Sequence, residues 1–182
     1  MDGTRGTIKY MEASVTQETL KGVFGTQRIT DLLVTGFMES EQSCLRFHPM
    51  FWWVYIRFES CFLRCQAVDQ WFLRLHIEQT IQPQFEVEAD AFCVASIYDG
   101  LVFNSDTGHR VKTFDYLVDP DCDVNKGIIK AGGFQLDNGD SLFFDPSSNE
   151  GIRIGTRDQV LRWTSLLHAP LTAYTEEKWE FA

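Results

Sequence analysis

The sequence contains no hydrophobic run long enough to cross a membrane. Its most apolar window, FHPMFWWVYIRF, is about a dozen residues long and includes Arg57, whereas a spanning helix needs about 20 apolar residues. The first residues, MDGTRGTIKYMEASVTQ, lack the apolar segment of a secretory signal. We therefore expect a soluble cytoplasmic protein with no membrane partner.

Motifs for catalysis and for nucleotide binding are also missing. The sequence has no Gly-x-Ser-x-Gly nucleophile motif, no glycine-rich phosphate loop and no basic stripe for nucleic acid. It contains only four histidines, and none stands at ligand spacing to a cysteine. We therefore predict no catalytic residue, no cofactor and no nucleic-acid partner, and we expect a non-enzymatic protein.

A few residues leave an alternative open. Cys93 and His109 could meet in space as nucleophile and base. Glu86 and Glu88 share one face of an expected strand, and paired carboxylates can act as acid and base. Together with His76, these side chains suggest a small ligand-binding or enzymatic α+β domain with its site in the face of the sheet.

The number of cysteines argues against a disulfide framework. There are five, an odd count, in a chain without a recognisable secretory signal. Cys61 and Cys65 lie four positions apart in a strand-like run, which places them about 13 Å apart, too far to share a zinc ion. We expect buried thiols and no metal site from these residues.

The charge of the chain is strongly uneven. It carries 16 basic and 26 acidic residues, a net charge of −10. Residues 1–75 hold eight of each sign, whereas residues 76–182 hold eight basic and eighteen acidic side chains. An acidic field of this kind repels nucleic acid and attracts cations or basic proteins. Solubility alone is the other explanation of this composition.

The densest acidic segment is DYLVDPDCDVNKG. Its four aspartates are Asp115, Asp119, Asp121 and Asp123. A calcium loop of the EF-hand type that starts at Asp119 requires glycine at its sixth position and glutamate at its twelfth. These positions hold Val124 and Lys130. A looser calcium site at residues 119–125 stays open, beside the simpler interpretation of a solvated loop in which Asp119-Pro120 starts a turn.

Hydrophobic periodicity indicates helices near both ends of the chain. Residues 14–25 predict a short helix with a Ser14 cap, an apolar face that includes Leu20 and Phe24, and a stop at Gly25. TRDQVLRWTSLLH predicts the second helix, in which Thr156 and Gln159 form a capping box and Trp163 lies on the apolar face. In the tail, Trp179 and Phe181 are expected to dock onto their own domain.

Strands are expected between these helices. QWFLRLHIEQ alternates with period two, FWWVYIRFE is apolar on both faces, and Asn138-Gly139 is a strong hairpin signal. Short turns at residues 59–60 and 69–70 favour an antiparallel meander. The pattern predicts a single α+β domain over residues 1–182, with residues 1–13 flexible. Its architecture is a mostly antiparallel twisted sheet on which a short N-terminal helix and a C-terminal helix pack together on one face.

The stretch DNGDSLFFDPSSNEGIRIGTRDQVLRWTSLL resembles the closing strand-strand-helix of small bacterial immunity proteins, including those of contact-dependent growth inhibition systems. In that family an FDP turn follows a strand, a short strand comes next, and a tryptophan-containing helix ends the domain. The resemblance implies a compact, acidic, cytoplasmic and non-enzymatic protein. Its partner would be a cognate protein toxin with a basic surface, for example a nuclease.

A partner of this kind would meet carboxylates where phosphates otherwise sit. Complementary charge speeds association, and a few aromatic or aliphatic anchors supply much of the affinity. The candidate partner-binding residues are the aspartates of the acidic half: Asp99, Asp106, Asp115, Asp119, Asp121, Asp123, Asp137 and Asp140.

Overall fold

The computed structural model describes residues 16–41, 44–97, 107–166 and 173–182. In these ranges the chain forms two α-helices, α1 (Gln17–Thr26) and α2 (Arg157–Leu166), a 3-10 helix (Val124–Lys126) and eleven strands. The strands are β1 (Arg28–Glu41), β2 (Cys44–Phe58), β3 (Phe62–Val68), β4 (Phe72–Glu78), β5 (Phe92–Ser96), β6 (His109–Val118), β7 (Ile128–Ile129), β8 (Ala131–Leu136), β9 (Ser141–Ser148), β10 (Gly151–Gly155) and β11 (Thr175–Glu180). The expected mostly antiparallel sheet with two helices is confirmed. Residues 1–13, expected to be flexible, lie outside the described residues.

The strands form two layers that face each other. The first layer has the order β5-β1-β2-β3-β4-β7, and the second has the order β11-β6-β8-β9-β10. The layers are joined where the start of β1 pairs with the start of β6, through Ile29 and His109. They are joined again by the chain itself, because only Lys130 separates β7, which pairs with β4, from β8, which pairs with β6.

The core fills the space between the layers. Its largest fully buried side chains include Phe58 and Ile56 from the first layer and Phe114, Phe134 and Phe144 from the second. Full burial of one such side chain contributes about 1.5–3 kcal/mol to stability. The main apolar cluster therefore draws on both layers, and a smaller cluster of Ala131, Phe143 and Trp163 is separate from it.

Helix α1 adds its own side chains to this core. Leu20 and Phe24 are 1% exposed, as their spacing of four on one helix face predicts. The helix begins at Gln17, with Thr16 as its cap, because the Thr16 hydroxyl accepts a hydrogen bond from the Thr19 amide at 3.2 Å. The predicted cap, Ser14, lies outside the described residues, and the helix continues past Gly25 to Thr26.

Helix α2 packs on the other face of the second layer. Its Trp163 is 2% exposed and contacts the ring of Phe143, whereas Phe24 of α1 contacts Phe114 and Phe134. Phe134 pairs with Leu142 and therefore shares its face of the layer. Phe143 follows Leu142 in β9, and neighbouring residues of a strand point to opposite faces, so Phe143 and Phe134 lie on opposite sides of the layer. The expectation that both helices cover one face of the sheet is therefore wrong.

Two turns fix the register of neighbouring strands. Gly139 has φ of 93° in the β8–β9 hairpin, where the Asn138-Gly139 signal predicted a turn. Asp69 and Gln70, both at positive φ, connect β3 to β4, and the Trp71 amide donates to the Val68 carbonyl across this turn at 3.2 Å. The predicted meander through β2, β3 and β4 is confirmed.

The outer face of the first layer is covered by the segment between β4 and β5. Tyr55 of β2 is fully buried there and its hydroxyl donates to the Gln82 carbonyl at 3.4 Å. The ring of Phe85 stacks on that of Trp53 at 5.8 Å. This cover explains why FWWVYIRFE is apolar on both faces.

Three parts of the chain differ from the sequence-based expectation. Phe144-Asp145-Pro146 lies inside β9 instead of forming a turn, and a register irregularity against β10 follows it. Asp115 belongs to strand β6, not to a loop. The polar tail segment from Thr175 forms β11 and pairs along β6.

Candidate partner-binding groove

The candidate site lies on the outer face of the second layer, which is turned away from the core. Along β6, Phe114 and Tyr116 are buried in the core, so Asp115 between them points to the opposite face. The register places Asp115 opposite Lys178 of β11 on one side and opposite Gly133 of β8 on the other. Helix α2 covers only part of this face, over Phe143.

A groove of about 420 Å³ occupies the remaining part of the face. Its floor and walls come from β6, β8, β9, β11 and α2. Asp115 and Glu176 supply carboxylates, while Leu117, Val160 and Leu161 supply apolar surface. Leu161 also lines the groove, and 64% of its surface is exposed.

Gly133 lines the groove where β8 and β9 approach each other closely. A β-carbon at this position would lie 2.4 Å from the Leu142 carbonyl oxygen, which is closer than a real β-carbon approaches. Gly133 lies between Asp115 on β6 and Phe143 on β9, its neighbours in register. The close approach of β9 therefore requires glycine here, and Gly133 lines the groove together with these two residues.

The carboxylate of Asp115 is held in position by uncharged donors. Its Oδ2 atom accepts a hydrogen bond from the Thr113 hydroxyl at 3.1 Å and another from the Gln135 side-chain amide at 3.2 Å. Lys178, the register partner of Asp115, has its ammonium 3.3 Å from Glu180. Within the described part of the chain, no cation forms an ion pair with Asp115.

The aspartates that follow β6 are arranged differently. Asp119 forms an ion pair with Lys130 at 2.8 Å, and its Oδ1 atom accepts hydrogen bonds from the Asp121 amide at 3.0 Å and from the Cys122 thiol at 3.3 Å. Burial acts to raise the pKa of Asp119, but these hydrogen bonds and the Lys130 charge outweigh it and hold the pKa below its ordinary value. The Asp119 carboxylate is therefore already paired and hydrogen-bonded within the protein.

Two more of the predicted aspartates have cationic partners within the chain. Asp123 contacts Lys126 at 2.9 Å, and this contact lowers the pKa of Asp123. Asp137 contacts His109 at 3.2 Å and Arg28 at 3.8 Å. Burial tends to raise the pKa of Asp137, but its backbone and side-chain hydrogen bonds and these nearby charges lower it overall.

The structure separates the predicted acidic surface into distinct places. Asp137 contacts His109 at the start of β6, whereas Asp119 follows its end, and a strand of this length spans roughly 30 Å. Asp140 accepts a hydrogen bond from Asn138 at the hairpin tip, and Asp121 is exposed. The remaining two predicted residues, Asp99 and Asp106, lie outside the described residues.

The described residues do not bring together a metal-binding group or a reactive thiol. Within residues 16–41, 44–97, 107–166 and 173–182, no three His, Cys, Asp or Glu side chains are grouped so that they could hold a metal ion. Cys61 and Cys65 are buried free thiols, and burial raises the pKa of Cys65. Burial also raises the pKa of Cys122, to about 11, so neutral thiols are favoured at these positions.

The residues of the enzymatic alternative lie on separate elements. Cys93 stands in β5 opposite Gly36, and His109 lies beside Asp137 at the start of β6. Glu86 and Glu88 are exposed in the segment between β4 and β5, so the strand expected there is wrong. His76, in β4, lies opposite Arg64.

A second groove, of about 680 Å³, lies between β2, the end of β5 and β10. Glu150 and Arg153 line it together, so it carries both charges, and its apolar surface includes Phe51 and Ile152. Neither groove is lined by a histidine or a cysteine. Of these two grooves among the described residues, the one at Asp115 is lined by carboxylates and apolar side chains without a basic residue.

Among the described residues, no helix is both long enough and apolar enough to cross a membrane. Comparisons of the chain with protein-family models, with curated proteins and with solved structures give no match.

Proposed function

We propose that this chain is a non-enzymatic immunity protein that binds a basic protein toxin in the cytoplasm and blocks it. The observation that carries the proposal is the groove of the second layer, where Asp115 and Glu176 lie beside the exposed Leu161. Negative charge next to exposed apolar surface suits a basic partner, because charge guides the encounter and apolar burial retains the complex.

The distribution of charge supports the same function. The excess of acidic residues lies in residues 76–182, and all elements of the second layer come from this part of the chain. The exposed Asp121 and the hairpin residue Asp140 extend the negative field beyond the groove. A nuclease would be attracted to this field, since its own surface must be basic to bind phosphates.

Co-expression with the product of the adjacent upstream gene tests the proposal. We expect that product to arrest growth when it is expressed alone, and we expect this chain to restore growth and to form an isolable complex with it. Absence of both rescue and complex would overturn the proposal.

A pair of charge reversals tests whether the acidic half guides association. Asp121→Lys changes an exposed residue of the acidic half, whereas Glu18→Lys makes the same change in charge on α1, in the neutral half. We expect Asp121→Lys to slow association with the toxin by about threefold or more at low salt, and Glu18→Lys to have less effect. Equal effects would show that the acidic half has no special role.

A further inference from the structure

We infer that the groove at Asp115 receives a single arginine side chain of the partner. This inference rests on the proposed function and specifies which residue of the basic protein acts as the anchor. It follows from the spacing of the two carboxylates, from the way Asp115 is oriented and from the apolar walls.

The two carboxylates stand on the same face at a suitable spacing. Lys178 is opposite Asp115 and Glu176 is opposite Leu117, so Glu176 and Asp115 are diagonal neighbours on adjacent strands. Such residues are separated by roughly 7–8 Å. The planar guanidinium of arginine has five N–H donors in a fork, so it can donate to one carboxylate with one edge and to the other with its remaining donors.

The hydrogen bonds of Asp115 leave one oxygen for a ligand. Thr113 and Gln135 both donate to Oδ2, and within the described residues no donor contacts Oδ1. The carboxylate is thus fixed in orientation before any partner arrives. A fixed acceptor loses less conformational freedom on binding than an exposed side chain does.

The apolar walls suit the methylene stem of an arginine. Leu117, Val160 and Leu161 line the groove, and Leu161 is largely exposed. Arginine buries its stem on apolar surface while its charged end reaches polar groups. The groove of about 420 Å³ gives that end room to reach Asp115.

A peptide titration followed by NMR tests this inference without the toxin. The probe is the blocked tripeptide Ac-Gly-Arg-Gly-NH2, and the matched control contains citrulline, which has the same shape without the charge. We expect the arginine peptide to shift the resonances of the Gly133 amide and the Gln135 side-chain amide, and the citrulline peptide to leave them in place. Equal shifts with both peptides, or none at these positions, would overturn the inference.

Substitutions in the protein make the test specific. We expect Asp115→Asn and Glu176→Gln each to weaken peptide binding by about fivefold or more, and Glu18→Gln, the same loss of charge at an exposed residue of α1, to leave it unchanged. Glu176 is exposed on β11, so its substitution tests the site even if Asp115→Asn perturbs the strand. Equal weakening by Glu18→Gln would mean that the peptide senses only the overall charge, and the groove would lose its role.

Two further results separate this inference from the proposed function. A lysine tripeptide that binds as tightly as the arginine tripeptide would overturn the choice of arginine. If the toxin complex forms but the arginine peptide does not bind, the immunity function stands and the arginine anchor is wrong. If the peptide binds but no complex or growth rescue is observed, the anchor site stands and the immunity function is wrong.

Discussion

The ammonium nitrogen of Lys130 lies 2.8 Å from a carboxylate oxygen of Asp119, and the two side chains are only 13% and 14% exposed. Lys130 occupies the position where an EF-hand loop has its bidentate glutamate. It also lies 3.8 Å from the centre of the Phe72 ring. The residue that weakens the calcium interpretation is thus the residue that neutralises the first aspartate of the loop.

Loss of Lys130 should destabilise the fold. Lys130→Met keeps an apolar stem over Phe72 but leaves the Asp119 carboxylate without its cation. We expect the free energy of unfolding at pH 7 to fall by about 3 kcal/mol, the lower end for removing one partner of a buried pair. The double variant that adds Asp119→Asn should recover part of this loss, which urea unfolding would measure. A double variant that is less stable than Lys130→Met would contradict this explanation.

The same ion pair predicts a pH dependence. Because the pKa of Asp119 is lowered in the folded state, its contribution to stability is present above the unfolded pKa of about 4 and is lost as the pH falls through the folded pKa. The stability difference between the wild type and Asp119→Asn should therefore be constant above about pH 5 and shrink on further acidification. Urea unfolding across this range is the test, and a difference that grows in acid would contradict the sign.

Asp145 connects the closing hairpin to helix α2. The carboxylate is fully buried and accepts hydrogen bonds from the Ser147 amide, from the Ser147 hydroxyl and, at 2.9 Å, from the Gln159 side chain. We expect Asp145→Ala to cost about 2–3 kcal/mol of unfolding free energy, since it removes the buried acceptor of three hydrogen bonds from half-buried donors. Gln159→Ala should cost about 1 kcal/mol. Thermal or urea unfolding would rank the two, and an equal or reversed order would contradict the central position of Asp145.

Two substitutions in helix α1 should have opposite effects on the stability of the fold. Phe24 contacts Phe58, Phe114 and Phe134, so Phe24→Ala should lower stability by about 3–5 kcal/mol. Gly22 on the same helix has no atom near the place of an added β-carbon, so Gly22→Ala should raise stability by about 0.5–1 kcal/mol. A loss of stability in Gly22→Ala, measured by urea unfolding, would show that this exposed position is constrained.

Much of the fold could be predicted where periodicity and turn chemistry agree. The alternation of Leu73, Leu75 and Ile77 indicated β4, and Asn138-Gly139 located the β8–β9 hairpin. In both cases one face is buried and the connection is short, so local sequence and tertiary packing favour the same structure. The burial of Trp163 and Trp179 followed for the same reason, since each places a large apolar ring toward a strand layer.

Strand β6 could not be predicted from periodicity, because the alternation of buried and exposed residues changes within it. Val111, Phe114 and Tyr116 belong to the core, and because three positions separate the first two, the alternation shifts by one residue between them. The structure shows a register irregularity between Val111 and Thr113 in the pairing with β8. A sequence pattern with a fixed period of two cannot follow such a shift.

The groove could not be read from the sequence because its residues come from distant segments. In the sequence, Asp115 belongs to an acidic cluster with Asp119, Asp121 and Asp123. The fold separates them, since Asp115 faces the groove while Asp119 is paired with Lys130. Glu176 was not singled out, because nothing in the tail sequence indicated that it would lie beside β6.

The rate at which the toxin complex dissociates tests the central claim most directly. A charge that is enclosed and hydrogen-bonded in an interface mainly governs dissociation, whereas a rim charge mainly governs association. Surface plasmon resonance with the immobilised upstream-gene product would compare the wild type, Asp115→Asn and Asp121→Asn. We predict that Asp115→Asn speeds dissociation by about tenfold or more, while Asp121→Asn stays within about twofold of the wild type. A dissociation rate that is unchanged in Asp115→Asn and raised in Asp121→Asn would contradict the account.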